Sequence, residues 1–256
     1  MRFLIMGDSW GCGEWRKVFI TADQSPGPAW SKSTNPTEWF ISEPVPDTDI
    51  SYYLRKMGHR AVNIAKGGDS NINQLSRLRQ LLAVHDNFDY IVWFHTEPVR
   101  DYVLNNFDVP MDRYRETLPR YEGYDEIVEQ WLTKTYDMAS EIYSRHLVPF
   151  VVVGGMTKLH PIIDRYPFAR HKMMDWVNDM ILEQVLPHPD NFGQYNKFAD
   201  DFVDVFNHDR FVKEADESLA WIQHCFGNPR FPDWGHPDRL AHEDLAAWVS
   251  ICCSTD

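Results

Sequence analysis

The feature that most constrains this chain is an alternation of short apolar runs with longer amphipathic stretches. Arg2–Met6 (RFLIM), His59–Ile64 (HRAVNI), Asp89–Phe94 (DYIVWF) and Pro149–Val153 (PFVVV) are brief, rich in branched and aromatic residues, and end at glycine or polar residues. That is how a strand buried on both faces reads. Between them, Ile50–Met57, Ile72–Val84 and Tyr124–Arg145 place apolar residues at three- and four-residue steps, the helical period. Further helices are expected at about Arg170–Val185, Arg210–Cys225 and Leu240–Ile251. Parallel neighbours need a long crossover connection, so strands separated by helices predict an α/β fold: a parallel sheet covered by helices on both faces. In such sheets ligands collect at the carboxyl ends of the strands.

The chain of 256 residues fits one large domain. Three stretches interrupt the alternation and read as insertions: Gln24–Asp49, rich in Pro, Ser and Thr; Asn106–Gly123; and the irregular Leu186–Asn207, which hides any fifth strand of the sheet. Aromatic anchors such as Trp30, Trp39 and Tyr114 make the first two look ordered.

Charge narrows the partners. With 25 Lys and Arg against 38 Asp and Glu, the net charge of −13 repels polyanions, which argues against nucleic acid. The ten Trp and eleven Tyr offer flat faces that suit sugar rings, although most are expected in the core. No stretch resembles a membrane span, and Met1–Met6 is too short for the apolar part of a signal peptide, so a cytoplasmic or otherwise soluble protein is expected. Cys12, Cys225, Cys252 and Cys253 form no Cys-x-x-Cys pair and are expected as buried free thiols. His236, Asp238, His242 and Asp244 match no zinc spacing, and His242 is expected as a solvent-facing or capping residue; no metal is expected.

Two segments carry chemistry. The first strand ends in Gly7-Asp8-Ser9-Trp10, and a serine on a strand-to-helix turn faces solvent among backbone N–H groups. Near the other end, Phe231-Pro-Asp-Trp-Gly-His-Pro-Asp238 sets Asp233 three residues before His236, in a stretch that Pro232, Gly235 and Pro237 keep out of a regular helix. A carboxylate there can hold one imidazole nitrogen protonated while the other accepts a proton from a serine. Alone, Gly-Asp-Ser reads first as an ordinary turn with a helix cap, and Asp-x-x-His is as compatible with a structural hydrogen bond.

Taken together, GDSW at the first strand and DWGHP before the last helix resemble the first and last sequence blocks of the SGNH/GDSL serine hydrolases. Asn63-Ile-Ala-Lys-Gly-Gly-Asp-Ser70, followed by Leu75, Leu78 and Leu81 at helical spacing, is similar to the family's second block. The resemblance implies a flavodoxin-like three-layer α/β/α fold without a metal cofactor. It implies Ser9 as nucleophile, His236 as base, Asp233 as its orienting carboxylate, and the N–H groups of Ser9 and Gly68 as an oxyanion hole.

One block departs from the family. Members carry Gly-x-Asn-Asp after the third strand, whereas here the strand runs into His95-Thr96-Glu97-Pro98, with Glu97 in the slot of the oxyanion-donating Asn. An ionised carboxylate cannot donate a hydrogen bond, and its charge opposes a developing oxyanion. Three readings are open: Thr96, His95 or Asn71 substitutes as donor; Glu97 is protonated; or the site hydrolyses nothing. The first is favoured. The expectation is an esterase or deacetylase acting on a small-molecule or glycan ester, an O-acylated saccharide first among them. The alternative is a non-catalytic glycan-binding or structural module of the same fold.

Overall fold

Strand β1 (Arg2–Met6) pairs in parallel on both sides, with β4 (Arg60–Asn63) and with β5 (Tyr90–His95). The computed structural model describes residues 1–13, 15–20, 39–85, 87–96, 98, 101, 124–154, 159–176 and 237–255. Within them, β6 (Phe150–Gly154) extends the sheet from β5, and β7 (Ala169–Met173) closes it, giving five strands in the order β4-β1-β5-β6-β7. Counted along the chain within this sheet, that order is 2-1-3-4-5, the flavodoxin-like arrangement. The chain first steps to one side of β1 and then returns to the other, so the connections reverse between β1 and β5. A crevice opens outside the carboxyl ends of two strands at such a reversal.

The period-two alternation of the strands explains the layers. Phe3 and Ile5 of β1, Val92 and Phe94 of β5, and Val151 and Val153 of β6 face one side. There they bury α1 (Ile50–Lys56) and α4 (Arg239–Ser254) through Ile50, Leu54, Leu245 and Val249. Leu4, Met6, Ile91, Trp93, Phe150 and Val152 face the other side. They bury α2 (Asn71–Leu82) and α3 (Tyr124–His146) through Leu75, Leu78, Leu132, Tyr136 and Ile142. The expected three-layer α/β/α fold is therefore present, with the four anticipated strands as parallel neighbours. Polar caps start the helices: the Asp49 carboxylate accepts from Ser51 N at 2.6 Å, Ser70 Oγ from Asn73 N at 3.3 Å, and Asp238 from Ala241 N at 2.8 Å. Each such cap stabilises its helix by about 1 kcal/mol.

Helix α4 runs against the strand direction. Its first turns lie at the carboxyl edge, where His242 approaches the Phe94 ring with centroids 6.3 Å apart. Its last turn reaches the amino edge, where Ser250 Oγ is 2.8 Å from His59 Nε2.

Three expectations are corrected. The described sheet has a fifth strand at β7, on residues expected to begin a helix at Arg170; pairing with β6 decides the matter, and the register shift between Phe150 and Val151 admits it. The stretch Gln24–Asp49 is not wholly irregular. Its residues 39–44 form β3 (Trp39–Pro44), which pairs antiparallel with β2 (Trp15–Ile20) in a two-stranded sheet of its own. His242 is neither solvent-facing nor a cap. It is fully buried, its ring 5.2 Å from that of Trp176, because Asp238 caps the helix and His242 falls one turn inside, on the stripe of Leu245, Ala246 and Val249. The expected helix at Arg210–Cys225 and the insertion cores at 106–123 and 186–207 lie outside the described residues. Among the described residues, no helix is long and apolar enough to cross a membrane.

Candidate active site

Ser9 opens a 3-10 turn, Ser9–Cys12, directly beyond the carboxyl end of β1. The turn forms because Asp8 caps it: Oδ1 accepts from Trp10 N at 3.0 Å, and the Asp8 carbonyl accepts from Gly11 N at 3.1 Å. Gly7 lets the turn sit this close to β5, since a Cβ at that position would stand 2.6 Å from Phe94 Cβ. Asp8 is buried and Ser9 is half-buried, so the serine lies at the boundary between core and solvent.

The two strands flanking β1 each send a loop to this turn. From β4, Lys66 N donates to Gly7 O at 3.0 Å, and Asn63 Nδ2 donates to Gly11 O at 2.7 Å. The chain then turns at Lys66–Asp69, with Gly68 in the left-handed region at φ 72° and exposed. From β5, Thr96 Oγ1 donates to Asp8 Oδ2 at 2.9 Å. Ser9, the Gly68 turn and Thr96 thus converge at the point where the strand order reverses.

Cys12 closes the turn. Its thiol donates to the Asp8 carbonyl at 3.4 Å, and burial, reinforced by the Asp8 charge, pushes its pKa up to about 12. Cys12 is half-buried, as is Cys252, while Cys253 is buried; Cys225 lies outside the described residues. A thiol so raised is protonated at neutral pH and is a poor nucleophile.

The expected stand-in donors after β5 are occupied with other work. Both ends of the Asn71 amide engage the Thr96 backbone, Nδ2 donating to Thr96 O at 2.9 Å and Oδ1 accepting from Thr96 N at 3.0 Å. The Thr96 hydroxyl hydrogen goes to Asp8. His95 is buried between Trp93 and Tyr136, with ring centroids 5.2 and 5.6 Å away. Asp233, His236 and Glu97 lie outside the described residues.

One feature escaped sequence reasoning: Asp101, fully buried, accepts at Oδ1 from Ile72 N at 3.0 Å on the first turn of α2. Its only sequence signal is a carboxylate shortly after a strand end.

No family model matches the chain, and no curated protein matches it. Solved structures do. It is similar to TesA over 98% of its own length and 97% of that chain, at 15% identity and a TM-score of 0.40. It is also similar to the psychrotrophic esterase EstA from a Pseudoalteromonas species, over 98% and 96% of the two chains, at 11% identity and a TM-score of 0.37. A GDSL-like lipase from Parabacteroides merdae ATCC 43184 covers 99% of this chain and 95% of its own, at 15% identity and a TM-score of 0.36. These likenesses are distant, and the architecture rests on strand order and register. The chain is a three-layer α/β/α protein of flavodoxin-like strand order that presents Ser9 at the reversal point of its sheet.

Proposed function

We propose that this protein is a serine hydrolase of the SGNH/GDSL type that cleaves carboxylic esters. The observation that carries the reading is the position of Ser9, on a capped turn at the carboxyl end of β1 and braced by both neighbouring loops. A nucleophile needs such presentation, because its rate depends on holding Oγ near attack geometry. Further support comes from α4. Asp238 caps that helix at the carboxyl edge, and His236 stands two residues before the cap in the chain.

In this reading Ser9 Oγ attacks the ester carbonyl, and His236 takes the hydroxyl proton while Asp233 holds the imidazole. The N–H groups of Ser9 and Gly68 receive the oxyanion. Collapse breaks the bond to the leaving alcohol, which takes the proton from His236. Water, deprotonated by the same histidine, then releases the acid and restores Ser9. No metal or cofactor is needed. For the substrate we favour an O-acylated saccharide, because the stretch 24–49 carries Trp30 and Trp39, whose flat faces suit sugar rings.

The test is labelling by a fluorophosphonate probe alongside hydrolysis of p-nitrophenyl acetate and a panel of acetylated sugars. The expected result is one label per chain, at Ser9, with labelling and hydrolysis both abolished in Ser9→Ala. Activity should rise with pH between about 5 and 8 as the histidine loses its proton. An unlabelled, inactive parent would overturn the reading and leave the non-catalytic module, to which the Glu97 substitution in the third block points.

A further inference from the structure

The loop that follows β5 is bound to the first turn of α2 at two places. The Asn71 amide closes a two-bond ring with the backbone of Thr96, at 2.9 and 3.0 Å, as one strand residue pairs with another. On the next residue of the helix, Ile72 N donates to Asp101 at 3.0 Å. Asn71, Thr96 and Asp101 are all fully buried. From this anchored Thr96 the hydroxyl donates to Asp8 Oδ2, and the other oxygen of that carboxylate caps the turn that begins at Ser9.

A buried amide that spends both its ends on one residue fixes that residue's backbone, and a buried side-chain bond to a carboxylate is strong and directional. The chain of contacts therefore runs from α2 to Thr96, from Thr96 to Asp8, and from Asp8 to the nucleophile turn. Apolar packing alone would fill the same space. The polar groups add orientation, and orientation is what Ser9 requires.

We propose that Asn71 and Thr96 are positioning residues for Ser9, acting through Asp8, so that the loop in which the third family block departs still serves the nucleophile. This inference rests on the esterase reading above. It concerns the presentation of Ser9, not proton transfer or oxyanion contact.

The experiment compares Thr96→Val, which keeps the shape and loses the hydroxyl, with Thr96→Ser, which keeps the hydroxyl. The readouts are the second-order rate of fluorophosphonate labelling at Ser9, kcat and KM on p-nitrophenyl acetate, and the thermal midpoint. Thr96→Val should lower labelling and kcat by about 10- to 100-fold, the scale of a displaced reacting group, with little change in KM. Thr96→Ser should recover most of the loss. A purely structural role would lower the thermal midpoint while folded protein labelled at the parental rate, and that result overturns the proposal. So does equal activity of Thr96→Val and parent. Should Thr96→Val fold poorly, Asn71→Ser, which withdraws the amide from Thr96, carries the same comparison with the same two outcomes. A parent that neither labels nor hydrolyses overturns the esterase reading itself, and with it any catalytic role for these residues.

Discussion

The two ends of the same strands are held together by different chemistry. At the amino edge, Arg2 and Asp89 form an ion pair at 3.0 Å with both side chains more than a third exposed, and the amino terminus lies 3.5 Å from His59 Nδ1. Burial, with the nearby terminal charge, lowers the His59 pKa. At the carboxyl edge, Asp8, Asn71, Thr96 and Asp101 are buried and joined mostly by neutral donors and carbonyl or carboxylate acceptors. Burying polar groups costs stability unless every partner is well placed, whereas exposed ion pairs tolerate loose geometry. At the carboxyl edge this costly arrangement holds loops in one conformation. The difference assigns fixed geometry to the edge that bears Ser9 and simple stapling to the other.

The sharpest way to break this contrast is at Gly7. Any side chain there meets Phe94, with Cβ to Cβ at 2.6 Å and the Phe94 carbonyl at 3.3 Å, and neither atom is the tip of a flexible chain. Gly7→Ala should cost about 3 kcal/mol or more, the upper range for overpacking a tight core, read as a lowered urea midpoint. A stable Gly7→Ala would mean that the turn can shift away from β5, and the carboxyl edge would be less rigid than the contacts imply.

Gly68 tests the same edge where it is exposed. A Cβ there meets nothing within 4 Å, so only the backbone objects, at φ 72°. Gly68→Ala should cost about 1–2 kcal/mol, the price of a left-handed residue. Labelling of Ser9 should also slow, because relaxing the turn moves the proposed oxyanion N–H. Lost stability with unchanged labelling would remove Gly68 from the oxyanion hole.

Much of this was legible in the sequence, and the exceptions have physical reasons. The runs of β1, β5 and β6 declared their strands because these are the inner strands, buried on both faces and apolar at nearly every position, while β4, at the sheet edge with Val62 exposed, was marked by its Ala-Val pair alone. β7 did not, since Ala-Arg-His-Lys-Met holds no branched residue and is a strand by virtue of pairing with β6. The Ser9 turn and the Gly68 turn were readable because motifs are local. The ties from Asn71 to Thr96 and from Thr96 to Asp8 span 25 and 88 residues, and nothing in the chain announces which way an amide or hydroxyl points. The burial of His242 is readable too: with Leu245, Ala246 and Val249 it completes a helical stripe, which places it inside.

The smallest effect should come from the amino edge. Burial alone would raise the Asp89 pKa, but hydrogen bonds from the Arg2 side chain and backbone N–H, together with the Arg2 charge, outweigh it and leave the carboxyl below its ordinary value. A group whose pKa is depressed on folding stabilises the fold above its unfolded pKa, and that contribution disappears as pH falls through the folded value. Asp89→Asn should therefore lower stability at pH 7 by under about 1 kcal/mol, as expected for a pair this exposed. The gap between variant and parent should begin to narrow below about pH 4, the ordinary carboxyl range, and close only once the pH has fallen below the depressed folded value. Chemical unfolding at pH 7 and pH 3 measures both. Labelling of Ser9 in the folded protein should not change, since Asp89 pairs with the first residue of β1 and Ser9 lies beyond the last. If Asp89→Asn slowed labelling as much as Thr96→Val, the strands would be transmitting changes from end to end, and the division of labour between the two edges would be wrong.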